Sequence, residues 1–320
     1  MMPPPKVSNT LKRLARRLFS EESLQLAFVD SVVHPVAFPV AVVWLDESDR
    51  RSSGFQALPA PAWLPPYVDL VEIEGRPGKH KLHEAGAFYC LDPSSVFMSQ
   101  SLTAIKSRPV DVVLDACASP GGKSVLSWRA LSPQRLFSNE VIGKRVPALI
   151  SNVKRCKIQP VQVLSADTKV LADEAAGAAD VVIVDAPCSG QSMIARGKDS
   201  PGCFHPATIN MNANRQRRIL ANAAQLVRNS GYLAYMTCTF SLKENERNLE
   251  WFLKQHPDFS CVPVPVLRGF QSEFSERPCY RMWPLDGEGA GGFTVLLRRS
   301  DAQLPRIGCF SGISTRWQQP

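Results

Sequence analysis

Residues 112–124 read VVLDACASPGGKS, a short apolar run that breaks into a turn and then restarts as a helix-forming stretch. The run 112–116 has the length and branching of a buried strand, and 122–131 has helical spacing. Between them lie Cys117, Ala118, Ser119, Pro120, Gly121 and Gly122, followed by Lys123. A strand, a glycine-containing turn and a helix in that order form the first half of a βαβ unit, whose turn faces ligand at the carboxyl edge of the sheet. Two adjacent glycines let backbone approach a ligand with no Cβ in the way. The ending Gly122-Lys123-Ser124 is close to a phosphate-binding loop, but that motif needs glycine at position 117, where Cys117 stands. A G-x-G-x-x-G fingerprint is absent too.

The same texture continues outward. Strands are expected at 136–139, 161–165, 181–185, 232–237 and 293–298. Helices are expected at 143–154 and 208–228, the latter stopped by Gly231. A further helix runs to about Gln255 from the capping box Ser241-Leu-Lys-Glu244. Apolar strands alternating with helices define an α/β fold around a mostly parallel, doubly wound sheet.

Upstream of this block, 9–19 reads as a basic amphipathic helix: Leu11, Leu14 and Leu18 share a face, while Lys12, Arg13, Arg16 and Arg17 surround it. With Lys6, this acid-free segment has two functional readings, an RNA-contacting helix or an organellar targeting sequence. The proline-rich stretch 56–66 reads as a connector. Three regions follow: a small basic N-terminal region at 1–85 suited to RNA, a catalytic α/β domain at 86–300, and a tail at 301–320.

Composition narrows the function classes. The 320 residues are 44% hydrophobic with a net charge of +8, which excludes a disordered chain and favours a polyanionic partner. No run approaches the ~18 apolar residues of a membrane span. The nine cysteines include no C-x-x-C pair and there are only five histidines, so neither a zinc site nor a disulfide framework is expected. Reduced thiols, a cytoplasmic location and a monomer are the expectations.

Acidic residues fall at one strand end after another: Asp115, Glu140, Asp167 and Asp185. Glu140 lies 19 residues beyond Gly121, near the ~20 expected of a carboxylate that accepts ribose hydroxyls. Asp167 follows the third strand, where it could reach an adenine amino group. A nucleoside without a phosphate requirement suits this set, and S-adenosylmethionine is such a ligand.

Two cysteines share that edge. Cys188 lies in Asp185-Ala-Pro-Cys-Ser-Gly190 and Cys238 in Thr237-Cys-Thr-Phe-Ser241. The helix expected from Ser241 would favour a thiolate at Cys238. The other seven read as small buried apolar side chains. Thiolate, carboxylate and sulfonium methyl donor together suit methylation of cytosine carbon 5, a poor nucleophile until a thiolate adds to carbon 6. A carboxylate such as Asp185 can hold the N3 proton, and a second thiol can assist when the C5 proton leaves.

From about Phe88 to Arg299 the chain resembles the NOP/Sun (RsmB-type) family of S-adenosylmethionine-dependent RNA cytosine-5 methyltransferases. The matching blocks are DACASPGGKS, SNE, Asp167, DAPCSG, Gln216-x-x-Ile-Leu, GYLAYMTCTFSLKENE and RMWP. The resemblance implies a Rossmann-type class I methyltransferase fold with an antiparallel last strand. It implies Cys238 as nucleophile, Cys188 in product release, and Asp185 and Lys123 beside them. Cofactor contacts would run from Cys117 to Lys123 and include Glu140, Asp167 and Asp185. Leu91, Ser119, Gln191-Ser192, Ala195 and Leu285 depart from the family pattern, which leaves target recognition open between tRNA and rRNA. A binding or assembly factor on the same scaffold, and DNA methylation through Cys188, are the competing readings.

Overall fold

The apolar runs become the strands of one large sheet in the computed structural model, which describes residues 7–106, 109–301 and 308–319. Lys6 and parts of the expected tail lie outside those residues. Strands β1 (Val40–Trp44), β2 (Val68–Val71) and β3 (Phe88–Leu91) form a small antiparallel sheet in the order β2-β1-β3. Strands β4 (Val112–Asp115), β5 (Arg135–Asn139), β6 (Val161–Leu164), β7 (Ala179–Asp185), β8 (Val227–Thr237), β9 (Phe259–Cys261), β10 (Tyr280–Met282), β11 (Gly292–Arg299) and β12 (Thr315–Gln319) form the large one. Its order is β10-β11-β8-β7-β4-β5-β6-β12, with β9 also on β11. The pairs among β4 to β8 are parallel, whereas β11 runs antiparallel to β8 and β12 to β6.

Helices α1 (Asn9–Leu18), α2 (Glu22–Val33), α3 (Glu47–Ser52), α4 (Lys81–Glu84) and α5 (Pro93–Ser99) precede the large sheet. Next come α6 (Gly122–Leu131), α7 (Val146–Arg155), α8 (Thr168–Glu174), α9 (Ser192–Ala195), α10 (Pro206–Leu226) and α11 (Glu246–Gln255). Strand residues alternate between two cores, which is why the strands are apolar on both faces. Val113, Leu136, Val163, Ile183 and Ala234 face one core with α6, α7 and the small sheet. Leu114, Phe137, Leu164, Val182 and Leu233 face the other with α8, α10 and α11. Each such buried Val, Leu, Ile or Phe side chain contributes roughly 1.5–3 kcal/mol.

Strand order reverses at β4, which lies between β5 and β7, so the topological switch point falls where the DACASPGGKS turn leaves the sheet. Helix α1 spans the expected basic segment, with Leu11, Ala15 and Leu18 buried and Lys12, Arg13, Arg16 and Arg17 exposed. Its apolar face and that of α2 pack on Phe240 and Trp283; the rings of Phe28 and Phe240 lie 5.2 Å apart at 83°. β3 begins three residues past 85 and pairs with β1, with the 56–66 connector lying between β1 and β2.

Two elements differ from expectation. Helix α10 stops at Leu226, not Arg228, and the chain enters β8 at once, so Gly231 lies within a strand. Asp180 on β7 draws Arg228 into an ion pair, and a Cβ at Gly231 would come within 2.9 Å of the Asp180 carbonyl. The second concerns Ser241-Leu-Lys-Glu244. The Glu244 N–H still faces Ser241 Oγ at 3.4 Å, but α11 begins only at Glu246, after Asn245, with no side-chain cap. The Glu244 carboxylate is engaged elsewhere.

Candidate active site

The turn after β4 is tied down by its neighbours. Ala118 N–H donates to the Asn139 carbonyl at 2.8 Å, and the Asn152 amide donates to the Pro120 carbonyl at 2.9 Å. Ser119 Oγ donates to the Arg145 carbonyl at 3.0 Å, while the Arg145 guanidinium donates to the Ser119 carbonyl and lies 3.1 Å from Glu140 Oε2. Gly121, at φ +117°, turns the chain into α6, and a Cβ on Gly122 would meet Leu91 Cδ2 at 2.7 Å. The left-handed backbone at 121 suits glycine alone, while a Cβ at 122 would push the Leu91 side chain aside.

Behind the turn Asp115 is fully buried. Ser124 Oγ donates to its Oδ2 at 2.7 Å, and Oδ1 has no partner. Burial first, and then the Asp185 charge, push this carboxyl up to about 7. Lys123, itself buried, reaches across to Asp185 at the end of β7 with Nζ 3.2 Å from Oδ2. Burial, and then the charges of Asp115, Asp185 and Glu140, hold the Cys117 thiol protonated. These groups therefore form one charged cluster at the switch point. Asp167 stands apart, at the end of β6: it caps α8 through Lys169 N–H at 2.9 Å and lies 3.9 Å from Arg218.

The turns after β7 and β8 bring Cys188 and Cys238 together with their Sγ atoms 3.1 Å apart. Either thiol could donate across this contact; the contact with Cys188 draws the Cys238 pKa below the ordinary thiol value, against burial and the Asp185 charge, with Lys123 favouring the thiolate. Cys188 is pushed well above that value by the same bond and by burial. The helix expected from Ser241 starts only at Glu246, and the largest influence lowering Cys238 is the contact with Cys188.

Glu244 holds the two turns in register. It accepts from Ser189 N–H, from Ser189 Oγ and from Gln216 Nε2, the last at 3.0 Å, and burial raises its pKa. Gln191 adds a second tie, accepting from Phe240 N–H at 3.0 Å. Ser192 N–H and Oγ both donate to the Cys238 carbonyl. From β10, Arg281 forms a buried two-pronged pair with Glu246 and donates to the Phe240 carbonyl. Sequence reasoning read Glu244 as a helix cap and passed over Glu246 as a partner. One signal was available: the apolar spacing of α11, Leu249 then Phe252, starts well after Ser241.

Of the remaining cysteines, Cys156, Cys203 and Cys279 are buried as expected, while Cys90, Cys117 and Cys261 are half-buried and Cys309 is exposed. Burial raises the thiols of Cys90, Cys156, Cys203 and Cys261 to about 11. Among the described residues no His, Cys, Asp or Glu cluster could hold a metal, and no helix is long and apolar enough to cross a membrane.

The doubly wound sheet, with its antiparallel last strand, has the class I methyltransferase fold, with a charged cluster at its switch point and two thiols beside it. Residues 102–298 match the family model for the 16S rRNA methyltransferase RsmB/F, and the chain belongs to that family. It is 29% identical over 223 residues to ribosomal RNA small subunit methyltransferase F of Escherichia coli K12, covering 69% of this chain and 46% of that protein. Against the protein of the same name from Klebsiella pneumoniae it is 31% identical over 226 residues, covering 70% and 47%. The chain thus spans about half the length of these relatives. NSun6 from Pyrococcus horikoshii, solved with SFG, superposes with a TM-score of 0.73 at 17% identity, covering 92% of this chain and 99% of that one. That likeness shows the fold.

Proposed function

We propose that this chain methylates carbon 5 of cytosine in RNA with S-adenosylmethionine as the methyl donor. The observation that carries the reading is the 3.1 Å contact of Cys188 and Cys238 beside the Lys123–Asp185 pair. A binding protein has no use for a lowered thiol held against a raised one. The residues at the switch point fit the donor: the 117–123 turn, Glu140, Asp167 and Asp185 would hold it, and the unpartnered buried Oδ1 of Asp115 marks the polar floor. When bound, S-adenosylmethionine supplies an electrophilic methyl group.

The chain's own residues do the rest. Cys238 Sγ adds to carbon 6 of a cytosine flipped out of its stack, and the ring π pair moves to carbon 5. Asp185, with Lys123 beside it, holds the proton at N3 while charge develops there. Carbon 5 takes the methyl group and then gives its proton to a water molecule acting as base. The electrons of that C–H bond re-form the C5–C6 double bond and expel the Cys238 thiolate. Cys188, protonated and in contact with Cys238, stabilises the departing thiolate and opens the way for product release.

The relatives are named for small-subunit ribosomal RNA, so unmodified 16S rRNA is the substrate to test before tRNA. Wild-type protein with labelled S-adenosylmethionine should label single cytosines by bisulfite sequencing. Cys238→Ala should give none, and Cys188→Ala should accumulate a covalent RNA adduct. Loss of that adduct in Cys188→Ala would instead make Cys188 the nucleophile. Absence of label in rRNA and tRNA alike, with S-adenosylmethionine still bound, would favour an assembly factor.

A further inference from the structure

Beyond the two thiols the surface folds into a cavity of about 270 Å³ between α1, the start of α10 and the turn that leads into α11. Four cations line it: Arg13 and Arg17 one turn apart on α1, with Lys243 and Arg247 facing them. No acidic side chain lines it. Arg13, Arg17 and Arg247 make no ion pair or side-chain hydrogen bond among the described residues, while Lys243 Nζ is held by Asn210 Oδ1 at 2.6 Å. Uncompensated like charges around one hollow repel each other unless an anion completes the set.

Three other arginines are differently employed. Arg145 is spent on Glu140 and Ser119, Arg155 donates to the His83 and Phe88 carbonyls, and Arg217 lies over Trp251 and donates to Asn248. Those guanidiniums brace the fold; the cations of this cavity do not.

The inner wall places the cavity relative to the chemistry. Gln191 and Ser241 line it, each three residues beyond one of the cysteines. Three residues span at most ~10 Å of backbone, so the cavity opens within one or two nucleotides of the reacting base. We infer that it binds a backbone phosphate of the RNA strand flanking the flipped cytosine. This rests on the RNA reading above and adds to it a location and a set of ligands. Phosphate contacts fix register without reading sequence, and here they would seat the strand against the same two turns that carry the thiols.

The test compares two proteins of equal net charge, Arg13→Gln/Arg17→Gln/Arg247→Gln and the control Arg51→Gln/Lys254→Gln/Arg268→Gln, whose residues are all exposed and outside the cavity. Affinity for unmodified 16S rRNA is measured across salt concentrations, with circular dichroism and S-adenosylmethionine binding verifying that each is folded. The cavity variant should lose at least about tenfold in affinity near 0.15 M salt, and its log K against log salt slope should shrink by about 0.7, the share of one single-strand phosphate contact. The control should keep the wild-type slope. Matching slopes for the two variants would overturn the inference while leaving methylation intact. A cavity-dependent slope without methyl transfer by wild type would overturn the enzymatic reading and keep the site. Failure of wild type to bind RNA would overturn both.

Discussion

Glu244 grips Ser189 with both carboxylate oxygens, Oε2 on the backbone N–H at 2.8 Å and Oε1 on the hydroxyl at 2.6 Å. Ser189 adjoins Cys188, and Glu244 lies six residues past Cys238, so one side chain sets the spacing of two loops. Its third donor, Gln216, lies on α10, which locks the arrangement to the sheet's second core.

Glu244→Gln keeps one acceptor oxygen and puts an N–H where the second carboxylate oxygen now accepts, among the four donors from Ser189, Gln216 and Thr239. We expect a loss of about 1–3 kcal/mol in denaturant unfolding. The kcat for methyl transfer should drop by about tenfold, corresponding to ~1.4 kcal/mol in the barrier, with little change in the KM for RNA. A stability loss with kcat unchanged would make the residue a mere fold brace.

The thiol pair predicts a pH signature. Iodoacetamide labelling of the Cys238 peptide, followed by mass spectrometry, should show its midpoint below the ordinary thiol value, because Cys188 donates to the thiolate. Cys188→Ala removes the donor and should move the midpoint up; Cys188→Ser keeps an O–H donor and should move it less. Identical midpoints in all three proteins would rule out the sulfur hydrogen bond as the cause.

Asp115 should leave a mark on stability. Its carboxyl titrates near 7 in the folded chain against 3.8 as the ordinary value, so the folded state holds the proton more tightly. The group costs nothing below pH ~4, and its penalty grows as pH rises to ~7, reaching on the order of 4 kcal/mol. Asp115→Asn carries no charge to bury. Subtracting its unfolding free energy from wild type should therefore reveal a difference that worsens for wild type between those limits. A flat difference would mean that Asp115 stays ionised and solvated.

Gly86 joins the small sheet to the large domain at close quarters. It adopts φ +81°, and a Cβ there would lie 1.7 Å from the Arg155 carbonyl oxygen on α7. Gly86→Ala should cost more than about 2 kcal/mol, since both strain and a backbone clash oppose it. Substitution at Gly54, which shares a positive φ but has open space around its Cβ, should cost less. Equal melting temperatures for the two would contradict this contact.

The parallel sheet was legible because each of its strands is buried on both faces and reads as a continuous apolar run. Helix α6 matched from Gly122 to Leu131 because the glycine turn marks its start. What stayed hidden depended on partners distant in sequence. Glu244 fits a capping box locally, and only the approach of Ser189, 55 positions earlier, reveals its other use. Arg228 reads as the end of a basic helix until Asp180 pulls it into the sheet. Cys188 and Cys238 were picked out by their motifs, and Cys238 as the thiolate, but not their direct contact, which depends on two turns 50 positions apart.

The antiparallel strand β12 lies along the outer side of β6, from Thr315↔Leu164 to Gln319↔Val161, with a register shift between Thr315 and Trp317. Its pairing occupies backbone donors and acceptors of β6 that a neighbouring molecule's strand would otherwise find open. The irregular step in the covering strand also makes it a poor template in its turn, so self-association through the sheet margin is discouraged at both layers.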